Sequence, residues 1–159
     1  MKNRLQPLNE STKAKGFLSI KTFKDGVLVR QIDGIPNKVV AGSGGYGRNI
    51  IARQLAGDTT YPLTLTSISL GDNNTAASDS DTALGHSLVS GISLTDITVT
   101  NNVVEVDIFV ADGALTNGTY KELGIFCGTH LFARIVISPN YTKATGEDTL
   151  FTYTLTISG

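Results

Sequence analysis

The 159-residue chain carries a formal net charge of -1, and its length suits one domain with one hydrophobic core. Hydrophobic residues make up 40% of it and charged residues only 17%, so the composition gives no electrostatic basis for binding nucleic acid or an anionic membrane. A single cysteine, Cys127, excludes an internal disulfide, and no apolar run approaches the roughly 20 residues of a membrane-spanning helix. We therefore expect neither nucleic acid nor membrane as a partner.

Residues 1–15 are polar and basic, contain Pro7 and show no hydrophobic periodicity. They lack the continuous apolar segment of a secretory signal, which predicts synthesis in a cytoplasm or export by another route. The pattern predicts a flexible or partner-docked arm, followed by a single folded domain at 16–159. The basic residues of the arm, which are candidate interface residues, are Lys2, Arg4, Lys13 and Lys15.

Two alternating apolar runs follow the arm. They are "GFLSIKTF" (16–23) and "GVLVRQI" (26–32), on either side of Lys24 and Asp25. Alternation predicts strands, and the Asp-Gly pair is typical of a tight hairpin turn.

A glycine-rich stretch, "KVVAGSGGYGRNIIARQLAG" (38–57), contains G-x-G-x-x-G at Gly42, Gly44 and Gly47 and continues into a predicted helix at 46–56. In a dinucleotide fold such glycines bring the backbone close to a pyrophosphate, but that fold needs further crossover helices, and none follows. The stretch therefore predicts a sharp corner between a strand and a helix. The predicted core-facing residues are Tyr46, Ile50, Ile51 and Leu55, and the candidate interface residues are Arg48 and Arg53.

Beyond Pro62 the apolar periodicity changes from about 3.6 to about 2 residues, which predicts strands. In the last strand, the alternate apolar side chains from Phe151 to Ile157 share one face and threonines share the other, as expected for one core-facing side. About eight strands with one helix predict an antiparallel β-sandwich or flattened barrel, with the α-helix capping one end. The predicted strands of this part are 63–70, 87–99, 102–110, 121–127, 130–137 and 148–158.

Two long polar connections, 71–86 and 111–120, interrupt these strands, and loops of this kind often carry the function of a β-scaffold. Asp72, Asp79 and Asp81 in the first loop are weak calcium candidates, because their spacing does not match the twelve-residue calcium loop. Asx turns are the ordinary explanation for such carboxylates. We therefore expect no metal and no cofactor.

Few residue pairs in the sequence have catalytic potential. Cys127 and His130 bracket a tight turn, where side chains usually diverge, so they predict a buried thiol and a turn histidine. Glu122 precedes a buried run in "KELGIF", and we expect it to pair with Arg134 across the hairpin as a structural bridge. This inventory predicts a protein that is not an enzyme.

Four segments follow one another between residues 37 and 158: "NKVVAGSGGYGRNIIARQLAG", "SISLGDNNTAASDSDTAL", "KELGIFCGTHLFARIVI" and "DTLFTYTLTIS". Their order and spacing resemble those of small β-rich virion structural proteins of tailed bacteriophages, and this resemblance covers nearly all of residues 17–158. In that group a helix ends in an Ala-x-x-Leu-x-Gly-like stretch. A Leu-Gly-Asp turn, a Glu-Leu-Gly-Ile-Phe-like strand and a Phe-Ala-Arg strand follow it.

The resemblance implies a non-enzymatic subunit of a tail, baseplate, collar or fibre attachment. Such a subunit is made in the host bacterial cytoplasm and assembles in the virion with copies of itself and other virion proteins. Two alternatives stay open. One is a capsid-surface decoration protein or head fibre, and the other is a module that binds a host surface glycan through the loops 71–86 and 111–120, near Tyr120 or Tyr141.

Overall fold

The computed structural model describes residues 13–158, which form one antiparallel sheet of nine strands with a single short α-helix. The predicted class, mainly β with one helix, is confirmed. The elements are β1 (Lys13–Lys24), β2 (Val27–Val39), α1 (Arg48–Leu55), β3 (Leu65–Gly71), β4 (Ser87–Ser93), β5 (Asp96–Thr100), β6 (Val103–Val110), β7 (Gly118–Cys127), β8 (His130–Lys143) and β9 (Glu147–Ser158). The strands lie in the order β4-β3-β7-β8-β2-β1-β9-β6-β5.

The sheet curls on itself into a half-barrel because two segments of the chain change partners along their length. In β2, residues 27–36 pair with β1, whereas residues 37–39 pair with β8. The two edge strands, β4 and β5, are separated in sequence by only Leu94 and Thr95. Strands that cross from one layer to the other form the corners of such sheets.

The predicted strand at 87–99 is therefore divided into two strands at opposite edges of the sheet. β4 pairs with β3, while β5 pairs with β6, and the backbone N–H of Thr95 donates to the carbonyl of Asp107 at the change of direction. The hydrophobic alternation shifts by one position at the corner, because both Thr95 and Asp96 separate Leu94 from Ile97. One extra residue is also typical of a β-bulge within a continuous strand, so the shift does not by itself reveal the change of partner.

The hairpins follow their turn residues. Asp25 and Gly26 join β1 to β2 with positive φ angles of 52° and 76°, as the Asp-Gly signal predicts. Cys127 pairs with His130 at the predicted turn between β7 and β8. On β9 the predicted core-facing side is buried from Phe151 to Leu155.

Two predicted core positions are wrong. Leu55 is 85% exposed, because α1 ends there and only its first turn reaches the core, where Ile50 is fully buried. Ile157 has the expected orientation on β9 but is 41% exposed, because nothing within residues 13–158 covers that end of the half-barrel.

Part of the predicted arm belongs to the sheet. Lys13 and Lys15 lie in β1, exposed and paired with Ser158 and Thr156 of β9. The candidate interface residues Lys2 and Arg4 lie outside the described residues.

Candidate functional site

The polar loop 72–86, which connects β3 to β4, covers the outer face of β7 and β8. Residues 122–125 of β7 are buried in succession, so both faces of the strand are covered, one by the core and the other by the loop. The loop has no helix or strand of its own. Long connections of this kind in compact domains are usually functional or disordered, so we take this loop and the charges beneath it as the candidate site.

A buried ion pair between Glu122 of β7 and Arg134 of β8 lies beneath the polar loop. Glu122 is opposite Val136 and Arg134 is opposite Gly124, which makes the two side chains diagonal neighbours. Arg134 Nε donates to Glu122 Oε2 at 2.8 Å, and the side chains are 3% and 0% exposed. The structure thus brings together the two residues that the sequence suggested as a structural bridge.

The same pair holds the polar loop in place. The backbone N–H groups of Gly85 and His86 donate to the Glu122 carboxylate at 3.0 and 2.8 Å. A second guanidinium nitrogen of Arg134 donates to Asp81 Oδ2 at 3.1 Å. Burial lowers the pKa of Arg134, but its hydrogen bonds to the two carboxylates outweigh burial and raise that pKa overall. One buried pair therefore fixes both the middle and the end of the loop.

Gly124 allows the loop to approach the sheet closely. A Cβ atom at this position would lie 2.9 Å from Leu84 Cδ2 and 2.9 Å from Phe126 Cε2. A larger residue would have to displace the ends of these side chains.

Asp79 connects the polar loop to the start of α1. Arg48 donates to its carboxylate at 2.7 Å, Lys38 Nζ lies 3.2 Å from it, and its carbonyl accepts the backbone N–H of Ala41 at 2.8 Å. The hydrogen bond from Lys38 and the charge of Arg48 hold the pKa of Asp79 below its usual 3.8. Arg48, a candidate interface residue, is therefore paired within its own chain.

Arg53, the second arginine of α1, is also held by its own chain. It donates to Asp58 at 2.5 Å and to Asn49 at 2.8 Å, and its guanidinium carbon lies 5.2 Å from the centre of the Tyr61 ring. A neighbouring subunit would have to compete with these contacts.

The three weak calcium candidates do not converge on one point. Asp72 contacts His86 Nδ1 at 2.5 Å, Asp79 contacts the two cations named above, and Asp81 contacts Arg134. Within the part of the chain that the structure describes, no group of three His, Cys, Asp or Glu side chains could hold a metal ion. Each of the three carboxylates is thus engaged by a different set of side chains of its own chain.

The glycine-rich corner uses its backbone donors within the fold. The N–H of Gly47 donates to the carbonyl of Leu131 at 3.0 Å, and the N–H of Arg48 donates to that of Val40 at 2.8 Å. A phosphate site at a helix start needs such groups free and directed at the ligand. The corner therefore attaches α1 to the sheet, in agreement with the predicted sharp corner between a strand and a helix.

Cys127 and His130 do not form a reactive pair. Cys127 is fully buried, and burial raises the pKa of its thiol to about 11. The His130 ring packs against Tyr46 and Tyr61, with ring centres 5.2 and 4.8 Å away. Because the thiolate is the nucleophile, a thiol with a raised pKa is poorly suited to attack.

A second buried charge, Lys143, lies at the other end of the sheet and was missed in the sequence. Its side chain is 0% exposed, and Nζ donates to Asp112 at 2.6 Å and to Asn117 at 3.2 Å. β8 runs six residues beyond its predicted end at 137. The sequence signal that could have revealed this lysine is its spacing of two residues from Tyr141, which places both side chains on the same, buried face of β8.

Replacing Lys143 by methionine is expected to lower the free energy of unfolding by about 2 kcal/mol, because the charged hydrogen bonds to Asp112 and Asn117 are lost while the volume is kept. Urea denaturation measures this change. Lys24→Met, at an exposed position on β1, is the matched control and should differ little from the wild type. Equal effects for the two variants would contradict a stabilising role for Lys143.

Glu147 lies beside the cluster formed by Lys143, Asp112 and Asn117, and its environment leads us to expect a loss of stability in acid. Burial raises its pKa, but hydrogen bonds from the Ala144 N–H and Arg30 outweigh burial and hold the pKa below its usual 4.5. The folded state therefore binds the proton less readily than the unfolded state, so this stabilisation is present above pH 4.5 and is lost as the pH falls through the folded pKa.

We expect the melting temperature of the protein to fall as the pH is lowered from about 5 to about 3, and to fall less in Glu147→Gln. Circular dichroism melts across this range measure both slopes. Glu105→Gln, on an exposed position of β6, should keep the wild-type slope. A Glu147→Gln slope equal to that of the wild type would contradict the assignment.

The two tyrosines suggested for glycan binding are in the core. Tyr120 and Tyr141 are 2% and 1% exposed, and their rings stack with centres 6.0 Å apart. Neither ring is available to a sugar.

Comparisons with protein-family models, with curated proteins and with solved structures found no match. Across residues 13–158, no helix has the length and apolar character needed to cross a membrane.

Proposed function

We propose that this protein is a non-enzymatic structural subunit of a tailed-bacteriophage virion. We assign it to the tail, baseplate, collar or fibre attachment, where it assembles as a homo-oligomer in contact with other virion proteins. A capsid-surface decoration protein or head fibre is the alternative position within the same particle.

The observation that supports this proposal best is that buried charges hold the polar loop in one conformation. The segments that carry the resemblance supply most of the loop and both members of the buried pair, Glu122 and Arg134. Their hydrogen bonds are directed inward and hold a fifteen-residue connection in one shape. A surface that is already ordered loses little conformational entropy when it meets a neighbour, which favours assembly.

The edges of the sheet give further support. β5 is exposed along its whole length, and Ile97 and Val99 on it are 46% and 69% exposed. Open strand edges with apolar side chains are prone to pair with another chain, and assembled subunits use them in this way.

The direct test is to look for the protein in purified particles of the phage that encodes it. We expect gel electrophoresis to show a stoichiometric band of 16.8 kDa that mass spectrometry identifies as this chain. We expect cryo-electron microscopy to locate it in the tail rather than on the head. Absence of the chain from particles, with the protein recovered only from the infected-cell lysate, would contradict the proposal.

A further inference from the structure

An apolar groove of about 330 Å³ opens at the end of the half-barrel between β3 and β5. Ile51 of α1 and the start of β3 form one wall, and β5, β6 and β9 form the other. Ile97 and Val99 are opposite Val106 and Val104, so they point to the core side of β5, yet both are exposed. The hydrophobic core is therefore open at this end.

The backbone on both sides of this apolar groove is also open among residues 13–158. β5 is the edge of the sheet and pairs only with β6. β4 pairs with β3 from Ser67 onward, which leaves Leu65 and Thr66 of β3 without a partner on that side. Open edges of this kind bind an extended peptide through main-chain hydrogen bonds, while pockets accept its side chains. The groove therefore suits an extended apolar segment.

The twelve residues that precede Lys13, "MKNRLQPLNEST", have a suitable composition and attachment point. They include Leu5 and Leu8. β1 begins where Lys13 pairs with Ser158, and the adjacent Ile157 lines the groove. This segment is therefore attached to the fold beside the groove and, extended, spans up to about 40 Å, enough to reach another copy.

Charge favours the same occupant. Residues 87–110, which include β5 and β6, contain no Lys, Arg or His and carry only acidic charges, at Asp96, Glu105 and Asp107, on the opposite face of these strands from Val104 and Val106. The segment 1–12 carries Lys2 and Arg4 against Glu10 alone. Complementary charge favours their encounter and fixes orientation.

We infer that the segment 1–12 of one copy docks in the apolar groove of a neighbouring copy, with Leu5 and Leu8 as its apolar anchors. The inference rests on the proposed function as a self-assembling subunit, and it names the contact that joins the copies.

Two full-length variants test the contact by complementation. Val99→Asp places a charge in the groove and keeps the segment, whereas Leu5→Asp/Leu8→Asp keeps the groove and spoils the segment. In analytical ultracentrifugation we expect the wild type to be oligomeric and each variant alone to be a 16.8 kDa monomer, with self-association weakened about 100-fold or more. An equimolar mixture should form a 1:1 heterodimer, because one intact segment meets one intact groove.

The matched control is Val27→Asp, which charges another exposed valine, 65% exposed on the β1–β2 hairpin and away from the groove. It should assemble as the wild type does, and all variants should retain the wild-type circular dichroism spectrum. A monomeric wild type, variants that assemble normally, or a mixture that stays monomeric would each overturn the inference. None of these results changes whether purified particles contain the chain, so failure of the docking contact is distinguishable from failure of the proposed function.

Discussion

Replacing Glu122 by glutamine is expected to lower the free energy of unfolding by about 3–5 kcal/mol, because the buried Arg134 charge loses its fully buried partner and keeps only the partly exposed Asp81. All three groups that contact the Glu122 carboxylate most closely are donors: Arg134 Nε and the N–H groups of Gly85 and His86. In Glu122→Gln, the side-chain NH2 group would face one of these donors in either orientation of the amide. For a domain of this size the melting temperature should fall by roughly 10 °C.

Urea denaturation and thermal melts measure this loss, and Glu105→Gln on the exposed face of β6 is the matched control, with a change within about 0.5 kcal/mol. Hydrogen exchange gives a local readout, because the amides of Gly85 and His86 lose their acceptor and should exchange faster. If Glu122→Gln were as stable as Glu105→Gln, the ion pair would not be what holds the polar loop.

Replacing Gly47 by alanine is expected to cost roughly 4 kcal/mol or more, for two reasons that act together. Gly47 has φ 48° and ψ -120°, a conformation that residues with a Cβ rarely adopt. The added Cβ would also lie 2.0 Å from the carbonyl oxygen of Val40 and 2.8 Å from that of Phe132. Relief of this clash requires α1 to move away from the sheet.

Gly44→Ala is the control that separates the two causes. Gly44 also has a positive φ, 88°, but its nearest atom to an added Cβ is a side-chain carbon of Tyr46 at 3.9 Å. We expect it to cost about 1 kcal/mol, and urea denaturation of both variants measures the difference. Similar losses for the two would show that the close contact at Gly47 is not the cause.

A melting temperature of the wild type raised by ATP or NAD would show that the glycine-rich corner binds nucleotide.

Local patterns predicted much of the fold because they report on neighbours in sequence. The alternation on β9, the Asp-Gly turn at 25–26 and the apolar stripe around Ile50 each depend on a few adjacent residues. The pairing of Glu122 with Arg134 was also predictable, since both lie on one hairpin and the turn sets their register.

Contacts between distant segments were not predictable in this way. Asp81 meets Arg134 across 53 positions of sequence, and Lys143 meets Asp112 across 31. Nothing in the neighbourhood of either acid distinguishes it from an exposed loop carboxylate. The same limit explains the error at Leu55, where the helical stripe was correct but no part of the described fold covers its last turn.

The sequence alone determined the mainly β class, the tight hairpins, the one helix and the pairing within the β7–β8 hairpin, because these depend on periodicity and turn chemistry over short spans. Tertiary structure alone decided that residues 87–100 divide between two edges, that the polar loop is fixed by buried charge, and that Ile97, Val99 and Ile157 remain exposed at the groove. These features depend on how the sheet curls. The curl depends on pairing between strands that are distant in sequence, and no single segment of sequence specifies that pairing.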